Sequence, residues 1–306
     1  MNTQQTKDEI IRLKKETGAA ILAHNYVTGD IQDVADVVAD SLILAKKAIE
    51  MKETILIVAG VDFMAESVKI LNPQKKVIHI NPGAKCPMAH MAEAEDFEDF
   101  KKLHPGVPAV AYVNTTAALK TMVDYCCTSA NVIDVIKAVP SDKVIFLPDL
   151  NMGHYAQSKI RNKEILLWPG HCKVHSNIKP EQVKQLKALH PEAKVLVHPE
   201  CRMEVIEMGD HAASTEGMIT YVRESGAKEF IITTEEGLIY KLKKMFPDKV
   251  FYAIPGAVCQ NMKKMTLEDL LKSLRTLGPE IILSPEIIEK ARIPLGRMVS
   301  ITQKKA

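Results

Sequence analysis

The chain has 306 residues, 46% of them apolar, with 40 basic and 38 acidic side chains and a formal net charge of +2. This is the profile of a globular protein with ample material for a core, and no basic block interleaved with aromatics points to a nucleic-acid partner. The amino-terminal stretch lacks the apolar core of a signal peptide, and runs such as Ile55-Leu56-Ile57-Val58-Ala59 are far too short to span a bilayer. A cytoplasmic protein without a membrane partner is the expectation.

The residues from Thr6 to Lys15 carry apolar positions at Ile10, Ile11 and Leu13, a short amphipathic helix that Gly18 ends. A strand follows over Ala20-Ile21-Leu22-Ala23-His24-Asn25-Tyr26. The same helix-to-strand passage recurs at Ala109-Val110-Ala111-Tyr112-Val113-Asn114 and at Lys194-Val195-Leu196-Val197-His198-Pro199-Glu200. The three strands thus end in H-x-Y, Y-x-N and H-x-E pairs. On a strand, that spacing aims both side chains at one face.

Next in each repeat come residues with the character of helix amino termini: Asp40-Ser41, Thr128-Ser129 and Ser214-Thr215, each before an apolar-periodic run. A second strand then leads to an acidic turn, with Asp62, Asp149 and Glu235 in matching places. After a further helix, a third strand runs into a Pro-Gly break and a cysteine: Pro82-Gly83 before Cys86, Pro169-Gly170 before Cys172, and Pro255-Gly256 before Cys259. The helices over 92–103, 180–189 and 265–274 lead onward from these cysteines.

Strands alternating with helices predict an α/β protein of three αβα units related by a pseudo-threefold axis. Each unit is a doubly wound, parallel sheet of three to four strands. The expected units are residues 1–90, 91–176 and 177–306, with a tail over about 280–306 packing on the first. Ligands of such sheets sit beyond the carboxyl ends of the strands, where the cysteines, hydroxyls and paired residues all fall.

Six cysteines are too sparse for a disulfide scaffold in a chain of this length. Cys126, Cys127 and Cys201 read as small buried apolar residues. Cys86, Cys172 and Cys259, which are 86 and 87 residues apart, read as thiolates brought to one cavity. Three such ligands without a fourth in register suggest an iron–sulfur cluster with one iron open for Lewis-acid work. The alternative is structural zinc with His171 or His175 completing the set. The three helix starts are candidate anion seats, or plain caps. His24, Tyr26, Tyr112, His198 and Glu200 are candidate acids and bases. His79, His154 and His211 carry no functional assignment, His104 and His190 suit structural turns, and Lys241, Lys243 and Lys244 suit a solvated helix face.

The sequence resembles the quinolinate synthase family, through Ala23-His24-Asn25-Tyr26, Cys86-Pro87-Met88-Ala89, Cys127-Thr128-Ser129-Ala130-Asn131, Gly170-His171-Cys172-Lys173-Val174-His175 and His198-Pro199-Glu200-Cys201. Gly60-Val61-Asp62-Phe63-Met64-Ala65-Glu66, Tyr112-Val113-Asn114 and Asn261-Met262-Lys263-Lys264 extend the likeness over essentially the whole chain. The resemblance implies condensation of iminoaspartate with dihydroxyacetone phosphate to quinolinate, with loss of phosphate and water, in NAD biosynthesis. It implies a [4Fe–4S] cluster on Cys86, Cys172 and Cys259 with one open iron. It implies an active site lined by His24, Tyr26, Ser41, Tyr112, Asn114, Ser129, His175, His198, Glu200, Ser214 and Thr215. A transient hand-over of the imine from an L-aspartate-oxidising enzyme is compatible with it. Some longer family members carry a C-x-x-C around the last cluster cysteine, whereas position 256 here is glycine. The competing readings are another iron–sulfur hydro-lyase and a non-catalytic iron–sulfur carrier or sensor.

Overall fold

The computed structural model describes residues 1–303, so positions 304–306 of the expected tail lie outside the described residues. The first unit contributes β1 (Ala19–His24), β2 (Val37–Ala39), β3 (Ile55–Ala59) and β4 (Lys76–His79). The second contributes β5 (Ala109–Tyr112), β6 (Tyr125–Cys127), β7 (Lys143–Leu147) and β8 (Glu164–Leu167). The third contributes β9 (Lys194–Val197), β10 (His211–Ala212), β11 (Glu229–Thr233) and β12 (Val250–Ala253). The sheets have the orders β2-β1-β3-β4, β6-β5-β7-β8 and β10-β9-β11-β12, and every pairing is parallel. The expected α/β architecture of three repeated sheets flanked by helices is therefore the one observed.

The edge strands β2, β6 and β10 have three, three and two residues, too short to leave a period in the sequence. The central strands do leave one. All six residues of β1 are buried, as a sheet covered on both faces demands. Cys126 and Cys127 fill β6 as apolar residues, and Cys201 is likewise fully buried.

Side chains reproduce the repeat as closely as the backbone does. Asp36, Asp124 and Asp210 accept the backbone N–H groups of Ile21, Ala109 and Val195 at 2.8, 2.9 and 2.8 Å, tying each edge strand to its neighbour. Lys75, Lys163 and Lys249 each donate to two carbonyls at the carboxyl side of a helix: Ala48 and Met51, Val139 and Ser141, Val222 and Ser225. An ammonium there satisfies carbonyls that the helix itself leaves unpaired.

The strand pairing corrects one expectation. β1 and β5 stop at His24 and Tyr112, and β9 stops at Val197, so Tyr26, Asn114 and Glu200 stand beyond the pleat. Turns, not strand alternation, aim them. His24 Nδ1 accepts from the Tyr26 N–H at 3.2 Å, and His198 Nδ1 accepts from the Glu200 N–H at 3.3 Å.

The carboxyl-terminal segment joins β4 through the Ile281 N–H, which donates to the Val77 carbonyl at 2.8 Å. Its helix, Pro285–Gln303, then packs on β6 and on the helices Asp62–Leu71, Ala117–Lys120 and Val132–Ala138, so it lies against both the first and second units. No helix among the described residues is long and apolar enough to cross a membrane.

Candidate active site

The carboxyl ends of the strands from all three units face one cavity. Cys86, Cys172 and Cys259 line it with His24, Tyr26, Ser41, Tyr112, Asn114, Ser129, His175, His198, Glu200 and Thr215. Of the residues expected there, Ser214 is not in the lining. Its hydroxyl caps the helix Thr215–Glu224 by accepting from the Gly217 N–H at 3.3 Å. His171 does not line the cavity either.

Each cysteine is delivered by the same local device. The Cys86 N–H donates to Asp62 at 2.9 Å, the Cys172 N–H to Asp149 at 3.1 Å, and the Cys259 N–H to Glu235 at 3.1 Å. The acidic turns noted in the sequence thus hold the loops that carry the thiols, a role their matching register signalled and sequence reading missed. Asp149 and Glu235 are fully buried, and burial raises both carboxyls; Glu200's charge raises Asp149 further. The turns before the cysteines need glycine for definite reasons. Gly256 sits at φ +80°, and a Cβ on Gly170 would come within 2.5 Å of the Pro148 carbonyl oxygen.

Glu200 is the electrostatic centre. It is 3% exposed and its carboxylate takes Tyr112 Oη at 2.5 Å and His175 Nδ1 at 2.8 Å. Burial alone would raise this carboxyl, but His175, with a further contribution from the Tyr112 hydroxyl, outweighs it and holds it well below the usual range. His24 and His198 are pushed down to about 3, chiefly by burial, and so are neutral imidazoles at physiological pH. Because Nδ1 of each already accepts a backbone N–H, the ring proton of each stands on Nε2. Burial, reinforced by the Glu200 charge, raises Tyr26 and Tyr112, which therefore remain phenols.

Ser41 and Thr215 open ten-residue helices capped by Asp40 and Ser214. Ser129 differs: Asn131 turns back to accept the Thr128 N–H at 2.7 Å, so the following helix starts only at Val132. Asn114 Oδ1 is buried without a hydrogen-bond partner among the described residues, an acceptor left for a ligand's donor.

Burial raises all three cavity thiols, Glu200's charge raises Cys86 and Cys172 further, and Lys263 offsets the rise at Cys259 only in part. A bound metal would supply the missing positive charge. Among the described residues, the trio whose donor atoms close to within 4.8 Å of one another is Cys172, His175 and Glu200. The three thiols are not gathered that tightly. Tetrahedral zinc, with Zn–S about 2.3 Å, requires sulfurs roughly 4 Å apart. Three thiols around one cavity are compatible with an iron–sulfur group.

Lys241 corrects a further expectation. Far from being a solvated lysine, it is half-buried between the first and third units, donating to Val38 O at 2.7 Å, Glu216 at 2.8 Å and Asn25 Oδ1 at 3.1 Å. Sequence reading also missed Thr234 and Lys263. Lys263 donates to Tyr26 O at 2.8 Å and pairs with Glu235 at 2.9 Å.

Three parallel αβα units direct thiols, a buried carboxylate and neutral imidazoles into one shared cavity, an α/β scaffold whose donors could hold a metal. The model of the family described as Quinolinate synthetase A protein matches residues 8–300. The quinolinate synthase of Caldicellulosiruptor bescii is 45% identical over 302 residues, covering 98% of this chain and 100% of that protein. That of Thermotoga maritima is 47% identical over 295 residues, 96% and 99% of the two chains, and that of Methanoregula boonei 46% over 301 residues, 98% and 99%. The chain belongs to the quinolinate synthetase A family.

Proposed function

We propose that this chain forms quinolinate in NAD biosynthesis, in the cytoplasm, by condensing iminoaspartate with dihydroxyacetone phosphate and releasing phosphate and water. The observation that carries this reading is the meeting, in a member of this family, of three thiols with an ionised carboxylate, neutral imidazoles and phenols in one cavity. Cys86, Cys172 and Cys259 would hold a [4Fe–4S] cluster, which a set of three thiols around one cavity in a member of this family favours over a single zinc ion. When bound, such a cluster with three protein ligands supplies one Lewis-acidic iron for removal of a hydroxyl group.

The chain's own residues supply binding and proton transfer. Ser41 and Thr215, with the free N–H groups of their helix starts, suit phosphate or carboxylate, and Ser129 adds a third hydroxyl. Glu200, held in place by His175 and Tyr112, and the surrounding His and Tyr groups are the candidates for proton transfer with substrate. The Nε2 protons of His24 and His198 are donors toward developing oxyanions. Quinolinate forms without net oxidation, so no electron acceptor is needed. The imine substrate is unstable in water, and a transient hand-over from an L-aspartate-oxidising enzyme belongs to the same reading.

The test is anaerobic purification and cluster reconstitution, followed by assay with dihydroxyacetone phosphate and enzymatically generated iminoaspartate. About four irons per chain and quinolinate formation are expected. A cluster without quinolinate sends the reading to another hydro-lyase or to a carrier, and bound zinc without iron overturns the site. Cys172→Ala should lose both cluster and turnover, whereas Cys201→Ala, altering a buried thiol outside the cavity, should keep the cluster; iron analysis of the two variants decides this.

A further inference from the structure

The helix Pro285–Gln303 stands outside the repeat: among the described residues, every other helix has a counterpart in the other units. Ala291, Leu295, Met298 and Val299 bury one face of it, and none of its residues lines the cavity. Two consecutive residues of this helix grip the edge strand β6 at its two ends. Arg297 Nη1 donates to the Asp124 carbonyl at 2.7 Å, and its guanidinium lies over the Tyr125 ring, 4.9 Å from the centroid. Beyond the other end of the strand, Asn131 Nδ2 donates to the Met298 carbonyl at 3.3 Å.

The helix grips the second unit where that unit departs from the other two. Asn131 stands in the register of Ile43 and Gly217. In those units the backbone N–H at this position donates to a cap side chain, Ile43 to Asp40 at 3.0 Å and Gly217 to Ser214 at 3.3 Å. The helices then open at Ser41 and Thr215 themselves. In the second unit the side chain of Asn131 acts instead, its Oδ1 accepting the Thr128 N–H at 2.7 Å. Ser129 thus sits in a turn closed by one carboxamide, whose other end is fastened to the carboxyl-terminal helix. The partners fix its orientation: an N–H only donates and a carbonyl only accepts, so Oδ1 faces Thr128 and Nδ2 faces Met298. None of these groups titrates, and Asn131 is buried, so water does not stand in for a lost bond.

We propose that the carboxyl-terminal helix positions Ser129 in the cavity, with Asn131 as the positioning residue through which it acts. Affinity for substrate then depends on a segment that touches no substrate. Ser41 and Thr215 are set by their own caps, Asp40 and Ser214.

Hydrogen–deuterium exchange of the reconstituted holoenzyme tests the coupling and needs no turnover. Arg297 is exposed, so Arg297→Ala releases the grip without opening a void in the core. Exchange over residues 125–131 should quicken about 5-fold, the equivalent of one lost hydrogen bond. The matching segments 37–43 and 211–217 should keep wild-type rates. Unchanged exchange over 125–131, or faster exchange in all three segments, overturns the proposal. The kinetic consequence rests on the quinolinate-forming reading. Arg297→Ala should raise KM about 5-fold with kcat and iron content near wild type, and Asn131→Ala should raise it at least as much. In the double variant the two effects should not multiply, because both break one connection; multiplying effects overturn the proposal. Should Asn131→Ala fold poorly, Arg297→Ala alone decides: a wild-type KM, or a fall in kcat at unchanged KM, overturns the proposal. Absence of quinolinate from the wild-type holoenzyme refutes the activity reading alone, since the exchange result stands apart from it.

Discussion

At the scale of single residues, the site is governed by one buried charge. Glu200 is ionised inside the protein because two hydrogen-bond donors, Tyr112 Oη and His175 Nδ1, reach its oxygens. Glu200→Gln keeps the shape and removes the charge. It should retain iron while lowering kcat by roughly 100-fold or more, measured under anaerobic steady-state conditions; near-normal turnover would take Glu200 out of proton transfer. The buried histidines make a separate prediction. His24 and His198 fall from 6.5 to about 3 on folding, so between those values the unfolded chain binds protons that the folded chain refuses. Their contribution is fully present above pH 6.5 and is lost as pH falls toward 3. Each should cost roughly 1 kcal/mol of stability per pH unit across that window. Chemical denaturation at stepped pH checks this, and His198→Asn should flatten the slope relative to wild type.

At the scale of elements, the cysteine loops are placed by hydrogen bonds from acids one strand away. Asp149 accepts both the Cys172 N–H at 3.1 Å and the Met152 N–H at 2.8 Å, so it caps the helix Leu150–Lys159 and holds the cysteine at the same time. Removing it leaves two amide donors in a fully buried place, at about 1–3 kcal/mol each. Asp149→Ala should lower the melting temperature and the iron retained after gel filtration, and Asp149→Asn, which keeps an acceptor oxygen, should lose less of both. Equal losses would mean that the carboxylate charge, not the hydrogen bonding, secures the loop.

At the scale of the whole molecule, the cavity exists only where the units meet, and polar contacts hold the first unit to the third. Lys241 and Gln32 both cross this boundary, Gln32 Nε2 donating to Gly237 O at 3.1 Å. Asn25 Nδ2 reaches across to Thr215 Oγ1 at 2.8 Å, so a residue of the interface touches an anion seat. Lys241→Met should leave the iron content unchanged and raise KM severalfold, by about 1–2 kcal/mol of lost binding energy, because the seat at Thr215 loses its support. Kinetics with iron analysis on the same preparation separates this from loss of the cluster.

The sequence by itself determined the three-unit architecture and the three thiols, because one covalent register repeats every 86 to 88 residues and carries its strands, breaks and cysteines with it. The same register placed His24, Tyr112 and His198 at strand ends, although turns rather than pleats aim their partners Tyr26, Asn114 and Glu200. The tertiary structure decided what the repeat does not contain. Thr234 meets Tyr26 across 208 residues and His175 across 59, and Lys241 meets Asn25 across 216. A hydroxyl or an ammonium carries no periodic mark of such partners. Its hydrogen bonds are fixed only when separate units close on one another and exclude water, so that every buried donor must find its acceptor.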